Sequence, residues 1–398
     1  MGTAIDSPAA AALAELGASE ADVERGLRVH RDAIVCDAVS GGARPWSRAM
    51  SDRARELIER RMPPFEMEGE LQEVADHDVV SDPLVREEYV AAWQRSGVTL
   101  ANDYGHMFCS WRTEAFDGLV HDLMITLRSV ARTTAVLDAL PEHFIKFRTA
   151  DDVVRAKAEG KHCIMWSSGG PPPWLENDLG NLELYQRLGF RQAQILYYTN
   201  RLGTQCYDQR DLGLTDAGVD YMQRLNRLRI VVDLAHCSRR TQLDAAASSS
   251  APVVNSHSAC MAVYRHPRNL DDDTIRAIAD TGGVVSIIGG LGRRFLADPQ
   301  GGLEDWVRHV EHVAEVAGIE HVGGRGSDVS YRGDIPADVR AYLYSEAAEK
   351  VDGHLDGSFA WVAAPYFTVA LAKHGYSDDE IAAIIGGNYL RVLREVCG

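Results

Sequence analysis

Two histidines occupy corresponding places in the chain, each just beyond a short apolar run. His236 follows the run 230–234, and His257 follows the run 252–255. A helix-like segment at 240–248 separates the two runs, so the unit is predicted to be strand, helix, strand. Parallel strands in such a unit place their carboxyl ends at the same edge of a sheet. We therefore expect both imidazoles to face one crevice, and neutral imidazole is the commonest metal ligand.

Three more residues near predicted strand ends could take part in chemistry. Asp328 could be an acid/base or metal-binding group, or it could cap the following helix. Arg268 could bind a substrate carboxylate, or it could form a surface ion pair with the acidic run at 271–273. Tyr198 could donate a hydrogen bond to an oxyanion, or it could serve only for packing. Each histidine could likewise be a polar residue at a strand end that bonds to a backbone carbonyl.

The elements that would position these residues are eight short apolar runs, separated mostly by helical segments. This alternation predicts an α/β fold, a (β/α)8 TIM barrel, in which catalytic groups lie on the loops after the strands. A doubly wound open sheet is the alternative, and the count of eight favours the barrel. The runs are 33–39, 97–103, 162–168, 192–198, 230–234, 252–255, 283–288 and 321–328.

The chain of 398 residues shows no linker that would divide it. We expect a single barrel domain over 1–398, with an N-terminal helical extension at 8–30 and a long loop at about 41–80 that contains helical pieces such as 52–61. An excursion of that length in a compact domain is usually functional or a lid.

Composition restricts the possible partners. The net charge of −17 argues against nucleic acid and anionic membranes as partners. The partner that we expect is a small-molecule substrate. No run approaches the roughly 18 apolar residues that a membrane helix needs, and no signal peptide is recognisable. The seven cysteines are scattered without a CxxC pair, which suggests reduced thiols in a cytoplasmic protein.

A series of motifs resembles the membrane (renal) dipeptidases, peptidase family M19. The motifs are DLAHCSRRT, PVVNSHSACMAV, RHPRNLDD and HVGGRGSD, and the resemblance runs from about Gly160 to the end. It implies a barrel of the metal-dependent amidohydrolase type, a two-zinc site that hydrolyses dipeptides, and a homodimer. By this resemblance His236 and His257 bind one metal, Arg268 holds the substrate carboxylate, and Asp328 exchanges protons with the tetrahedral intermediate.

The chain departs from the family pattern at several ligand positions. Val39 and Gly41 stand where the family has the histidine and aspartate that bind the other metal, and Ser168 stands in place of the bridging glutamate. Tyr198 replaces a histidine that contacts the reacting carbonyl. Because a two-metal centre needs carboxylate charge between its ions, we predict that the dinuclear site does not form.

Three hypotheses remain open at this point. The first is a hydrolase of a dipeptide or similar small amide with one divalent metal, zinc, on His236 and His257. Asp328 would then be the third ligand or the acid/base. The second is an enzyme of another class on the same barrel, such as a lyase or isomerase, with Asp103 or His106 as replacement ligands or with no metal. The third is a binding protein without catalysis.

Overall fold

The computed structural model describes residues 6–104, 118–290, 293–298, 301–343 and 357–398. Its strands are β1 (Cys36–Ser40), β2 (Gly42–Ala43), β3 (Leu100–Asp103), β4 (Phe144–Lys146), β5 (His162–Ser168), β6 (Phe190–Gln194), β7 (Val231–Asp233), β8 (Val253–Ser258), β9 (Val284–Ile288), β10 (Val322–Gly326) and β11 (Ser330–Tyr331). Eight of them pair in the order β3-β1-β10-β9-β8-β7-β6-β5, and β5 pairs back onto β3. All these pairings are parallel, so the sheet closes into the predicted (β/α)8 barrel.

Helices surround the barrel and connect most of its strands. They are α1 (Asp6–Leu16), α2 (Glu20–Asp32), α3 (Arg48–Glu59), α4 (Pro64–Ser81), α5 (Pro83–Ser96), α6 (Gly118–Ala139), α7 (Ala150–Glu159), α8 (Pro173–Glu176), α9 (Leu182–Leu188), α10 (Asp216–Arg227), α11 (Arg239–Ser248), α12 (Asp272–Asp280), α13 (Arg293–Leu296), α14 (Leu303–Ala317), α15 (Ala337–Leu343), α16 (Ala364–Lys373), α17 (Asp378–Ala382) and α18 (Asn388–Cys397). Strand residues such as Leu100, Met165 and Val231 form one apolar cluster with Tyr389 and Val392 of α18. This cluster joins the barrel wall to the last helix.

The N-terminal segment contains two helices where the sequence predicted one at 8–30. Gly17 separates α1 from α2 with a φ of 55°, a left-handed conformation that glycine adopts without strain. Ser19 then begins α2 through a capping box with Asp22.

The segment at about 41–80, expected to be a long loop with helical pieces such as 52–61, contains the two helices α3 and α4, of which only α3 overlaps the predicted piece. Ser47 caps α3 by accepting a hydrogen bond from the Met50 amide. Pro64 occupies the first position of α4, where proline costs no hydrogen bond. Buried residues of both helices, among them Leu57 and Leu71, form an apolar cluster of their own.

A small parallel sheet joins the loops that follow two neighbouring barrel strands. Gly42 of β2 is paired with Ser330 of β11, and Ala43 with Tyr331. These loops come directly after β1 and β10, so the pairing fixes the rim of the barrel on the side where Asp328 lies.

Cysteine chemistry in the described ranges fits the expectation of free thiols. Cys206 is partly exposed, and the other five described cysteines are buried and unbridged. None of the helices in the described ranges combines the length and the apolar character that crossing a bilayer requires.

Candidate active site at the carboxyl ends of the strands

The two histidines meet where adjacent strands end. Strands β7 and β8 are paired in register, with Asp233 opposite Val254. His236 lies three residues beyond the end of β7, and His257 is the second-last residue of β8. Their Nε2 atoms are 2.9 Å apart, so the structure brings together the two side chains that sequence spacing had paired.

Both imidazoles are held in the neutral form. Burial lowers the pKa of His236 and His257 well below the usual value of 6.5, and the nearby charge of Arg268 lowers both further. The other ring nitrogen of His257, Nδ1, lies 2.7 Å from the Ser256 hydroxyl, a contact that orients the ring. Neutral imidazole is the form that binds metal ions. In the 2.9 Å contact one Nε2 donates a hydrogen bond to the other, so the donor ring would carry its proton on Nδ1 when both Nε2 atoms bind an ion.

The backbone at His236 is strained. Its φ is 68°, in the left-handed region that non-glycine residues rarely adopt. The Cys206 amide donates a 2.8 Å hydrogen bond to the His236 carbonyl, and the ring of Tyr197 packs on the imidazole with centroids 4.4 Å apart. Strain of this kind is commonly found where a side chain must be aimed at a functional site.

Arg268 is directed into the site and away from the acidic run. It is 3% exposed, and its Nη2 and Nη1 donate hydrogen bonds to the His257 carbonyl at 2.7 Å and the Ser258 hydroxyl at 2.6 Å. Asp271 and Asp273 pair instead with Arg239. Within the described ranges no carboxylate lies within 4.0 Å of the Arg268 guanidinium, so its charge lacks an ion-pair partner there.

Asp328 is also on this rim and has a perturbed acidity. Burial raises its pKa to about 6, opposed by a hydrogen bond with the Tyr104 side chain and by the charge of Arg268. Its φ of 53° is left-handed, and its amide donates to the Val39 carbonyl at 2.9 Å. The next helix, α15, begins at Ala337, so Asp328 is too far upstream to cap it.

Tyr198 is placed differently from the other predicted site residues. Strand β6 ends at Gln194, four residues earlier than the sequence pattern suggested. Tyr198 is 65% exposed and its ring lies against Tyr197, whose own ring contacts His236. Burial raises the pKa of Tyr197 to about 12, and the charge of Asp328 adds to that shift. Sequence reasoning therefore missed Tyr197, and the double tyrosine was the available signal.

Three other positions, at which the family resemblance implies metal ligands, carry residues of a different kind here. Val39 is buried, and its carbonyl accepts hydrogen bonds from Asp328 and Ser327. A Cβ atom added to Gly41 would overlap the Ser330 hydroxyl. Ser168 accepts a hydrogen bond from the Tyr185 hydroxyl at 2.9 Å. At these three positions the chain has neither a carboxylate nor an imidazole, and the absence of a second metal stays a prediction.

The proposed replacement ligands do not complete a site among the residues described. Asp103 pairs with Arg44 at 3.6 Å, beside a cavity between α4, α6 and the barrel wall. His106 lies outside the described residues. Within the described ranges, no group of three or more His, Cys, Asp or Glu side chains is arranged to hold a metal ion.

The histidine pair by itself fits a single ion. Two nitrogens on one tetrahedral zinc, each about 2.0–2.1 Å away, lie about 3.3 Å apart. The observed separation of 2.9 Å between the Nε2 atoms is close to that value. His236 and His257 could therefore supply two ligands of one ion, with the remaining positions left to water, substrate or another side chain.

Comparison with known proteins agrees with this fold. The model of membrane dipeptidase, peptidase family M19, matches residues 80–339. Dipeptidase tcpJ of Claviceps purpurea is 27% identical over 289 residues, which are 71% of this chain and 62% of that protein. Dipeptidase verJ of Clonostachys rogersoniana is 32% identical over 287 residues, which are 70% of this chain and 67% of that protein.

A solved structure shows the same architecture over nearly the whole chain. An amidohydrolase from Pseudomonas aeruginosa aligns with a TM-score of 0.66 at 22% identity, covering 93% of this chain and 98% of that one. The likeness to that structure concerns the fold, and the matches to the two dipeptidases span only about two thirds of their length. With the family match extending over more than half of its residues, this chain belongs to the membrane dipeptidase family, peptidase family M19.

Proposed function

We propose that this protein is a metal-dependent hydrolase that cleaves a dipeptide or a similar small amide, with one divalent ion, zinc, at its site. The observation that carries the proposal is the pair of buried, neutral imidazoles whose Nε2 atoms lie 2.9 Å apart. Family membership supports metal dependence in general, and the names of the two relatives support a dipeptide as the substrate class. When bound, the ion would polarise the scissile carbonyl and lower the pKa of a bound water.

Arg268 would orient the substrate. A buried guanidinium without an ion-pair partner in the described ranges is costly, and a carboxylate from the substrate would compensate for that cost. Its hydrogen bond to the His257 carbonyl links this carboxylate site to one of the proposed metal ligands. A peptide with a free C-terminal carboxylate would thereby be held with its amide close to the histidines.

Asp328 would transfer a proton from the attacking water to the leaving amine. With a pKa of about 6, its carboxyl group can accept a proton from water and return it to the leaving amine near neutral pH. The hydrogen bond with Tyr104 would keep the carboxyl group oriented during both transfers. Tyr198 remains our proposal for an oxyanion donor, with Tyr197 as a second candidate because it contacts His236 directly.

A second candidate function is an enzyme of another class on the same barrel. It is favoured by the residues at the positions where the family resemblance implies the other metal and the bridging glutamate. Gly41 packs against Ser330, and Ser168 accepts a hydrogen bond from Tyr185. A lyase or isomerase would use Asp328 for proton transfer without hydrolysing a peptide bond. A binding protein would retain a ligand without turning it over.

Metal content and turnover separate these candidates. We expect the purified protein to bind one zinc per chain and to hydrolyse members of a dipeptide panel, measured by release of free amino groups. His236→Ala should lose both zinc and activity, whereas His77→Ala should keep both because the His77 side chain is 75% exposed. One bound zinc without hydrolysis of any dipeptide would favour the second candidate. Retention of zinc and turnover by His236→Ala would reject the site.

We also propose a homodimer in the cytoplasm. The dimer rests on the family resemblance, and the compartment on the free thiols of the described cysteines. Light scattering of the purified protein, and fractionation of the cells that produce it, test the two statements separately.

A further inference from the structure

Asp233 connects the two strand ends that carry the histidines. It is the last residue of β7 and is 1% exposed. Its Oδ1 atom accepts hydrogen bonds from the amide of Ala235 at 3.0 Å and from the amide of Ser256 at 3.1 Å. These amides belong to the residues immediately before His236 and His257. One carboxylate oxygen therefore holds the backbone on both sides of the histidine pair.

The second oxygen of Asp233 is fixed from inside the barrel. Its Oδ2 atom accepts a 3.0 Å hydrogen bond from Gln192 Nε2, and Gln192 Oε1 accepts one from the Tyr389 hydroxyl. All three residues are buried. Because both oxygens are engaged, the carboxylate can neither rotate nor follow one strand away from the other, and its position is transmitted to both backbones.

The strain at His236 explains why such an anchor is needed. A non-glycine residue with a φ of 68° returns to an ordinary conformation unless neighbouring bonds prevent it. The Cys206 amide holds the residue from its carbonyl side, and Asp233 holds the preceding residue through the Ala235 amide. The carboxyl group offers Oδ1 to the two amides and Oδ2 to Gln192, which accounts for an aspartate in this place.

Asp37 makes the corresponding contact for Asp328 and provides a matched comparison. It is 2% exposed on β1, its Oδ1 accepts a 2.8 Å hydrogen bond from the Ser327 amide, and its Oδ2 accepts one from Trp361 Nε1 at 3.2 Å. Ser327 immediately precedes Asp328, which also has a positive φ. Two buried aspartates thus each hold the residue before a strained site residue.

We propose that Asp233 is a positioning residue that sets the separation of the two imidazoles and with it the affinity for the metal, an inference that rests on the proposed function. Asp37 has the parallel role for Asp328, so it governs proton transfer and leaves metal affinity unchanged. Both aspartates lie at the same rim of the barrel, where Asp233 supports the metal ligands and Asp37 supports the acid/base residue.

The test compares Asp233→Asn with Asp37→Asn in the full chain. Zinc affinity is measured by competition with a chromogenic chelator, with no substrate present, and thermal unfolding of each variant is recorded. We expect Asp233→Asn to weaken zinc binding by about 10- to 100-fold, the usual loss when a residue that supports a metal ligand is changed. Asp37→Asn should bind zinc as the native protein does and should lower kcat. Equal zinc affinity in native protein and Asp233→Asn would overturn the inference.

A milder variant covers the case in which Asp233→Asn does not fold. Gln192→Met keeps the volume and leaves Asp233 in place but removes the hydrogen bond to Oδ2, so we expect a smaller loss of zinc affinity in the same direction. An equal loss of affinity in Gln192→Met and Asp37→Asn would contradict the division of roles. If the native protein itself binds no zinc, both the proposed function and this inference are wrong. If it binds zinc and Asp233→Asn binds it equally well, only the inference is wrong.

Discussion

Gly41 and Ser330 are packed so closely that any side chain at position 41 would overlap the serine hydroxyl. The contact follows from the small parallel sheet, in which Ser330 pairs with Gly42, and from the hydrogen bond of the Gly41 amide to the Val329 carbonyl at 3.0 Å. The loops after β1 and β10 are joined at the place where the family resemblance implies the ligands of the other metal. The two positions without ligand side chains, Val39 and Gly41, therefore lie in closely packed backbone.

The first prediction is that restoring the missing ligands does not restore a second metal. We expect the double variant Val39→His, Gly41→Asp to bind no more than one zinc per chain, measured by elemental analysis. Gly41→Ala alone should lower the free energy of unfolding by about 1–3 kcal/mol, the usual cost of overpacking. Ser330→Gly should recover part of that loss when combined with Gly41→Ala. Two zinc ions in the double variant would show that the joined loops open readily.

A second prediction concerns the substrate carboxylate. Arg268→Met should lower kcat/KM for a dipeptide by about 10- to 100-fold, corresponding to the roughly 1.5–3 kcal/mol of a hydrogen bond to a charged group. Most of the change should appear in KM. A dipeptide amide, which lacks the terminal charge, should be a poor substrate for the native enzyme and should be affected little by the variant. Equal losses for the acid and the amide would show that Arg268 does not recognise the carboxylate.

The sequence predicted the barrel because eight short, nearly continuous apolar runs alternate with helical segments, as expected for parallel strands that are buried on both faces. It also predicted that His236 and His257 would meet, since paired parallel strands end at one edge. It could not predict that Tyr197 would contact His236 in place of Tyr198, because β6 ends at Gln194 and the alternation of side chains does not continue into the turn.

Two other features depend on contacts that are distant in sequence. Asp233 accepts a hydrogen bond from the amide of Ser256, 23 residues along the chain, and no local sequence pattern predicts such a hydrogen bond. The sequence did not predict helix α4 because its N-cap residue, Pro63, makes no side-chain capping hydrogen bond and its apolar residues are mixed with acidic ones. Its existence depends on the apolar cluster it forms with α3 and α15.

A third prediction separates the two tyrosines. Tyr197→Leu removes the ring that packs on His236, so it should weaken zinc binding and lower activity together. Tyr198→Phe removes the hydroxyl that we propose as the oxyanion donor, so we expect kcat to fall by about 10²-fold while zinc affinity stays unchanged. Steady-state kinetics and chelator competition on both variants measure these effects. A kcat in Tyr198→Phe equal to that of the native protein would exclude Tyr198 as the oxyanion donor and leave Tyr197 as the candidate.

The fourth prediction is a pH dependence that originates at Asp328. Burial raises the pKa of this carboxyl group from 3.8 to about 6, so the carboxylate that accepts a proton from water predominates only above that pH. The groups that act on it are Tyr104, Arg268 and Arg294, which lower its pKa, and Asp37, which raises it. We therefore expect kcat/KM to rise with pH up to a plateau, with an apparent pKa near 6, or lower once a cation is bound.

The assignment of this rise of kcat/KM with pH to Asp328 is tested by substitution. Asp328→Asn should lower kcat/KM by about 10²- to 10⁴-fold, the usual contribution of a general base, and the remaining activity should no longer change with pH between 5 and 7. Asp328→Asn should also keep its zinc, because His236 and His257 are unchanged. If kcat/KM of this variant still rises with pH between 5 and 7, the group that titrates is not Asp328. A loss of zinc would mean that Asp328 is a metal ligand and that another group carries the proton.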